Sequence, residues 1–110
     1  MANVEVLGLA EAGYALEDFA TAEGNLWRAN LSGANLHNAF LYDAGLQGAN
    51  LRGANLSWAD LREADLTGAN LSEARFRKAK LYDAKYDADT KWPEGFDPVA
   101  AEAKLVAFDD

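Results

Sequence analysis

The chain has 110 residues, enough for one small domain, and no cysteine, which excludes disulfides and thiolate metal sites. Its formal charge of -8 is held at the two ends: residues 1–23 carry five acids and no base, residues 89–110 six acids and two bases, and residues 24–88 seven acids and eight bases. No apolar run is long enough for a signal peptide or a membrane span, so the expectation is a soluble, cytoplasmic protein with no membrane partner.

The first element in chain order is a short cap over residues 1–23. Asn3 can cap a helix over Val4 to Ala12 that Gly13 would stop, while the alternation of Val4 and Val6 equally allows a strand. The acids Glu11, Glu17, Asp18 and Glu23 suit an end that must not pair with a neighbour.

From Gly24 to Ala88 the chain repeats one phrase in 13 consecutive pentads with no insertion. The first place is Ala in 12 of them and the third is Leu in 11, Phe76 and Tyr86 being the exceptions. A period of five fits neither the helical 3.6 nor the strand's 2, so every pentad must contain a turn. The small and the large apolar residue can then both point inward, and the Asn or Asp at the second place can bond nearby backbone in the turn. Gly33, Gly48, Gly53 and Gly68 all stand at the fifth place, where a turn can use them.

The run Ala-Asn/Asp-Leu-x-x resembles the pentapeptide-repeat family, many of whose members come from cyanobacteria. The segment from Tyr86 to Pro98 is similar to the closing segment of its cyanobacterial members. The resemblance implies an all-β solenoid: a right-handed quadrilateral β-helix with four pentads per coil, the first and third places forming the interior. Residues 20 apart should then stack, which gives the core ladders Leu26/Leu46/Leu66/Tyr86, Leu31/Leu51/Leu71, Leu36/Leu56/Phe76 and Leu41/Leu61/Leu81. The whole reads as a single domain over 1–110, with a coil at 24–88, a little over three turns long, between caps at 1–23 and 89–110. In the second cap Trp92 and Phe96 can cover the open end, and Asp97-Pro98 is a helix start, Asp as N-cap and Pro at the first helical position. A helix over about 98–107 is therefore expected to pack on the end of the coil, and the protein is expected to be a monomer rather than a dimer.

The same stacking rule ranks the candidate sites. His37, the only histidine, falls beside Ser57, but the third member of that ladder is Arg77 rather than an acid, so the ladder lacks a catalytic triad. Asp43, Glu63 and Asp83 form a stripe of monodentate acids, short of the six to eight oxygens calcium takes. No metal or cofactor is expected. Asp60 stacks with Lys80, Asp65 with Lys85, and Asn55 with Arg75. Opposite charges across neighbouring strands explain these bases structurally; the competing reading is a basic patch for an acidic partner, made with Arg77 and Lys78. Tyr42, Arg62 and Tyr82 form a further stripe, with Trp58 nearby, and aromatics with Arg are what protein interfaces concentrate. These four residues are the candidate partner contact.

The expected role is that of a non-enzymatic structural or interaction module with an unidentified protein partner, because regularity comes without a catalytic constellation. The alternative is a DNA mimic that modulates a topoisomerase, as some members of the resembled family do. Duplex DNA carries one charge per ~1.7 Å, so a coil about 15 Å tall would need about nine negative charges along its sides. The near balance of charge in residues 24–88 argues against mimicry, and no nucleic-acid partner is expected.

Overall fold

The computed structural model describes residues 26–106. The expected cap at 1–23 lies outside the described residues. Within them the chain turns a corner every five residues. From Leu26 to Ala84, each first-place Ala N–H donates to the third-place carbonyl three residues before it, as Ala54 does to Leu51 at 3.0 Å. The fifth place lies inside that turn, and all 12 fifth places from 28 to 83 have φ between +60° and +72°. An i to i+3 bond with a positive φ at the third turn residue is the geometry of a type II turn. The second place secures the corner from its other side. The Oδ1 atoms of Asn30, Asn35, Asn50, Asn55, Asp60, Asp65 and Asn70 each accept from the N–H two residues on, at 3.0–3.3 Å.

Four corners close one coil. Parallel bridges join residues 20 apart, from Asn30 with Asn50 to Asp65 with Lys85. Each contact between coils repeats three bonds, shown by Leu56 N–H to Arg75 O and Trp58 N–H to Arg77 O (both 2.8 Å), and Lys80 N–H to Ala59 O (3.0 Å). Side chains at the first and third places face inward. Ten leucines, Leu26 to Leu71, are fully buried, each contributing ~1.5–3 kcal/mol relative to exposure. The four core ladders stack as the sequence predicts.

The coil ends by a one-residue slip. After Tyr86 the register lengthens by one, so that Asn70 bridges Lys91. Buried Thr90 absorbs the slip. Its Oγ1 donates to the Leu66 carbonyl at 2.9 Å and accepts from the Asp87 N–H at 3.0 Å. Asp87 Oδ1 accepts from Gly68 N–H at 3.0 Å, taking the place of a backbone carbonyl. Trp92 and Phe96 then turn inward over Phe76 and Tyr86. Trp92 stacks on Phe96 with centroids 5.0 Å apart, Phe96 lies 4.9 Å from Phe76, and Tyr86 meets Trp92 edge-on at 5.5 Å. The apolar cross-section is thereby covered.

The helix expected over about 98–107 does not form. Asp97 does cap a turn, accepting from the N–H groups of Val99 and Ala100 at 3.0 and 3.3 Å, and Ala101 N–H reaches the Asp97 carbonyl at 3.2 Å. The turn stops at Glu102, whose φ is +66°. The chain then becomes a strand, β2 (Lys104–Leu105), parallel to β1 (Lys85–Tyr86). Lys104 N–H donates to Ala84 O at 2.7 Å and Val106 N–H to Tyr86 O at 2.8 Å. A helix of about ten residues is marginal by itself, whereas the coil end offers backbone groups already in position. The open edge outcompetes the local helix signal.

Candidate functional site

The stripe of Tyr42, Arg62 and Tyr82 occupies the fourth place of pentads 20 residues apart, on one side of three successive coils. The fourth place precedes the corner residue, so its side chain points outward while its flanking third and first places are fixed in the interior. Arg62 is held from two directions. Its Nε and Nη2 donate to Oδ1 and Oδ2 of Asp60 at 2.8 and 2.7 Å, a bidentate fork within a single pentad, and its guanidinium lies 5.4 Å from the centroid of the Tyr42 ring. The fork, more than any other influence, holds the Asp60 carboxyl below the usual carboxylate range, against an opposing effect of partial burial. The same bond pushes the Arg62 guanidinium up, so it stays charged.

The aromatic side chains around it are exposed: Tyr42 46%, Tyr82 56% and Trp58 54%. Trp58 stands at the corner immediately before the Asp60 pentad. Phe40, at 43% exposure, belongs to the same surface and was not among the sequence candidates. Its signal was its place: an apolar ring at a second place, where Asn or Asp is usual. The stacking rule pairs Asp60 with Lys80 and gives no sign of its fork with Arg62.

The stacking itself is observed. The bridges Asp60 with Lys80, Asp65 with Lys85, and Asn55 with Arg75 all form. No direct ion pair accompanies them: among the described residues the salt bridges are Arg62 with Asp60 and Arg52 with Glu73, and Lys80 acts on Asp60 through its charge alone. Asp60 is engaged by Arg62. Asp65 instead accepts from Thr67 Oγ1 at 2.7 Å and from Gln47 Nε2 at 3.1 Å. In each case a donor two residues away in the same turn, Arg62 or Thr67, bonds the carboxylate, and Gln47 reaches Asp65 from the neighbouring coil.

His37 is exposed, its backbone N–H bonded to Asn35 Oδ1, and the corner beside it is tied to the Ser57 carbonyl through Asn38 N–H. Asp43, Glu63 and Asp83 all stand at corner residues with positive φ. Among the described residues no group of three carboxylates or histidines is disposed to share a metal ion.

These corners, ladders and bonds repeat the geometry of known proteins. A family model described as pentapeptide repeats matches residues 22–53 and 54–85. The chain belongs to the pentapeptide repeat family. Among solved structures, it is similar to a pentapeptide repeat protein, Rfr23, from the cyanobacterium Cyanothece 51142, with 43% identity over 62% of this chain, 46% of that protein and a TM-score of 0.61. It spans about half the length of that relative. A pentapeptide repeat protein from Nostoc PCC 7120 shares 37% identity over 83% of this chain and 93% of its own, with a TM-score of 0.48. One from the Arabidopsis thaliana thylakoid lumen shares 36% identity over 56% of this chain and 50% of its own, with a TM-score of 0.24. Among curated proteins none matches. In this pentapeptide repeat protein no helix among the described residues is long and apolar enough to cross a membrane.

Proposed function

We propose that the protein is a non-enzymatic interaction module, a cytoplasmic monomer that binds a protein partner through the face of Tyr42, Arg62, Tyr82 and Trp58. The observation that carries this reading is the immobilised Arg62, forked to Asp60 and laid on Tyr42 between exposed aromatics. A guanidinium already ordered in the free protein loses less freedom on binding than a free one. The alternative of a DNA mimic acting on a topoisomerase draws no support, since the last coil displays Arg75, Arg77, Lys78 and Lys80 outward, opposite in sign to a phosphate backbone.

The test uses the wild type and a Tyr42→Ala/Arg62→Ala/Tyr82→Ala variant as parallel baits in affinity capture, with circular dichroism to show that both are folded. A partner held by the wild type and lost by the folded variant is the expected result. A partner held equally by both would refute this face as the contact.

A further inference from the structure

The capping segment covers the interior of the last coil without completing its backbone ladder. In each lower coil the third-place and fifth-place N–H groups donate to the coil above, and the first-place carbonyl accepts from it. In the last coil Tyr86 to Lys91 serve one side, and Glu102 to Val106 serve another, where Asp83 N–H meets Glu102 O at 2.9 Å. Between them an edge stays open. Among the described residues the N–H groups of Glu73, Phe76, Lys78 and Leu81 and the carbonyls of Ala74 and Ala79 meet no backbone partner. Ala79 and Phe76 are also only half-buried, whereas every other first- and third-place residue from Leu26 to Tyr86 is buried.

From Arg75 to Leu81 this edge is lined by one sign of charge, the exposed acid before it, Glu73, being paired with Arg52. Arg75, Arg77, Lys78 and Lys80 are all exposed, and none has an ion pair among the described residues. Hydrogen-bonding groups and charge together select the ligand. Sulfates or phosphodiesters would satisfy the cations and the N–H row, but their anionic groups offer no donor to the Ala79 carbonyl. A peptide backbone supplies both acceptor and donor.

We propose that the open edge from Arg75 to Leu81 takes an acidic extended segment of a partner protein, added in parallel as the next rung of the coil. The rung below defines the pairing, where Arg75, Arg77 and Lys80 give carbonyls to Leu56, Trp58 and Leu61, and Lys80 gives its N–H to Ala59. The incoming segment repeats this one level up, giving three carbonyls to Phe76, Lys78 and Leu81 and one N–H to Ala79. Such strand addition draws affinity from main-chain bonds and selectivity from side chains. Three side-chain requirements follow. Acids stand opposite Arg75, Arg77 and Lys80. A residue tolerant of positive φ stands opposite Lys78, whose own φ is +61°. A small residue stands opposite Phe76, because the Phe96 ring already occupies the interior there, 4.9 Å away. A second copy docking by the same edge is disfavoured by like charge.

The probe is a fluorescently labelled hexapeptide of sequence Glu-Ala-Glu-Gly-Ala-Glu with blocked ends, followed by anisotropy at low salt. Expected is saturable binding that falls about tenfold or more when the last Glu is N-methylated, which removes the donor to Ala79 without changing charge. A similar fall is expected for Arg77→Glu/Lys80→Glu, with Arg77→Gln/Lys80→Gln as the milder pair should charge reversal disturb folding. Absence of binding at concentrations on the order of 1 mM overturns the proposal. So does equal binding of the N-methylated peptide, which would reduce the edge to a charged patch. Tight binding of a thymidine hexanucleotide in preference to the peptide overturns it in favour of nucleic acid. The inference goes beyond the Tyr42–Arg62–Tyr82 reading, and the two fail separately, since the peptide assay leaves that face untouched.

Discussion

The corners supply a sharp test of the backbone reasoning, because glycine and non-glycine residues occupy equivalent places. Eight of the 12 fifth places from 28 to 83 are not glycine, yet share its left-handed conformation. Asn38, Asp43 and Asp83 tolerate that conformation; Arg28, Trp58, Glu63, Glu73 and Lys78 have no such excuse. Left-handed φ costs an ordinary residue roughly 1–2 kcal/mol, while glycine forfeits about 0.5–1 kcal/mol of extra chain entropy on folding. The difference favours glycine by roughly 0 to 1.5 kcal/mol at a corner held by an ordinary residue. Glu63→Gly should therefore stabilise the protein. Gly53→Ala should destabilise it by a similar amount, and cleanly so, because a Cβ at Gly53 would meet nothing within 4 Å. Ser72→Gly, inside a turn but at a place without positive φ, should cost about 0.5–1 kcal/mol. Urea unfolding measures all three: with a slope of about 1–3 kcal/mol/M, a 1 kcal/mol change moves the midpoint by roughly 0.3–1 M. If Glu63→Gly lowers the midpoint as much as Ser72→Gly does, the corner does not carry strain and the argument fails.

Two further outcomes follow from the end of the coil and from the Arg62 fork. Thr90→Val keeps the shape but leaves the Asp87 N–H unpaired and removes one of the two donors to the Leu66 carbonyl, the Ala69 N–H remaining, so it should lower stability by about 1–3 kcal/mol in the same urea assay. Because the Asp60 pKa is depressed in the folded state, its contribution is present above the unfolded value near 3.9 and is lost as pH falls through the lower folded value. Asp60→Asn should therefore flatten the decline of thermal midpoint below about pH 4, by no more than about 1 kcal/mol given the exposure of the pair. An unchanged pH profile would show that the fork is dispensable.

Most of the coil was legible in the sequence because its interior uses two residue types at fixed places. An Ala and a Leu every five residues mark the inward places, the resemblance to the pentapeptide-repeat family implies four pentads per coil, and the bridges 20 apart obey the stacking that follows. The outward side chains were less legible. Register states which residues are stacked, but Asp60 and Asp65 each had nearer donors in their own turn, and no spacing rule ranks a fork from Arg62 against a reach from Lys80. The corners were half legible: four glycines announced positive φ, while Trp58 and Glu63 in the same conformation gave no sign of it. At the end of the chain, Asp97 and Pro98 signalled a helix start and a capped turn duly formed. What followed depended on the unpaired edge at Ala84 and Tyr86, nearly 20 residues away, and local residues do not report such a competitor. The exposed face of Tyr42, Arg62 and Tyr82 was visible as a stripe, but its anchoring by Asp60 and its extension to Phe40 required coordinates.

The four-to-a-coil arrangement has a consequence for how such a chain can change. Removing or adding a single pentad preserves every inward Ala and Leu, yet rotates all downstream residues by a quarter turn. Deleting 44–48, for instance, would keep the interior continuous while moving Arg62 off Tyr42 and onto a different wall. Only changes in whole coils of 20 residues keep both the interior and the walls in place. Length variation in units of five is therefore close to neutral for the inside and drastic for the outside. The inside can persist through duplications while the outer walls are reshuffled wholesale, which separates the inheritance of the shape from the inheritance of what it recognises.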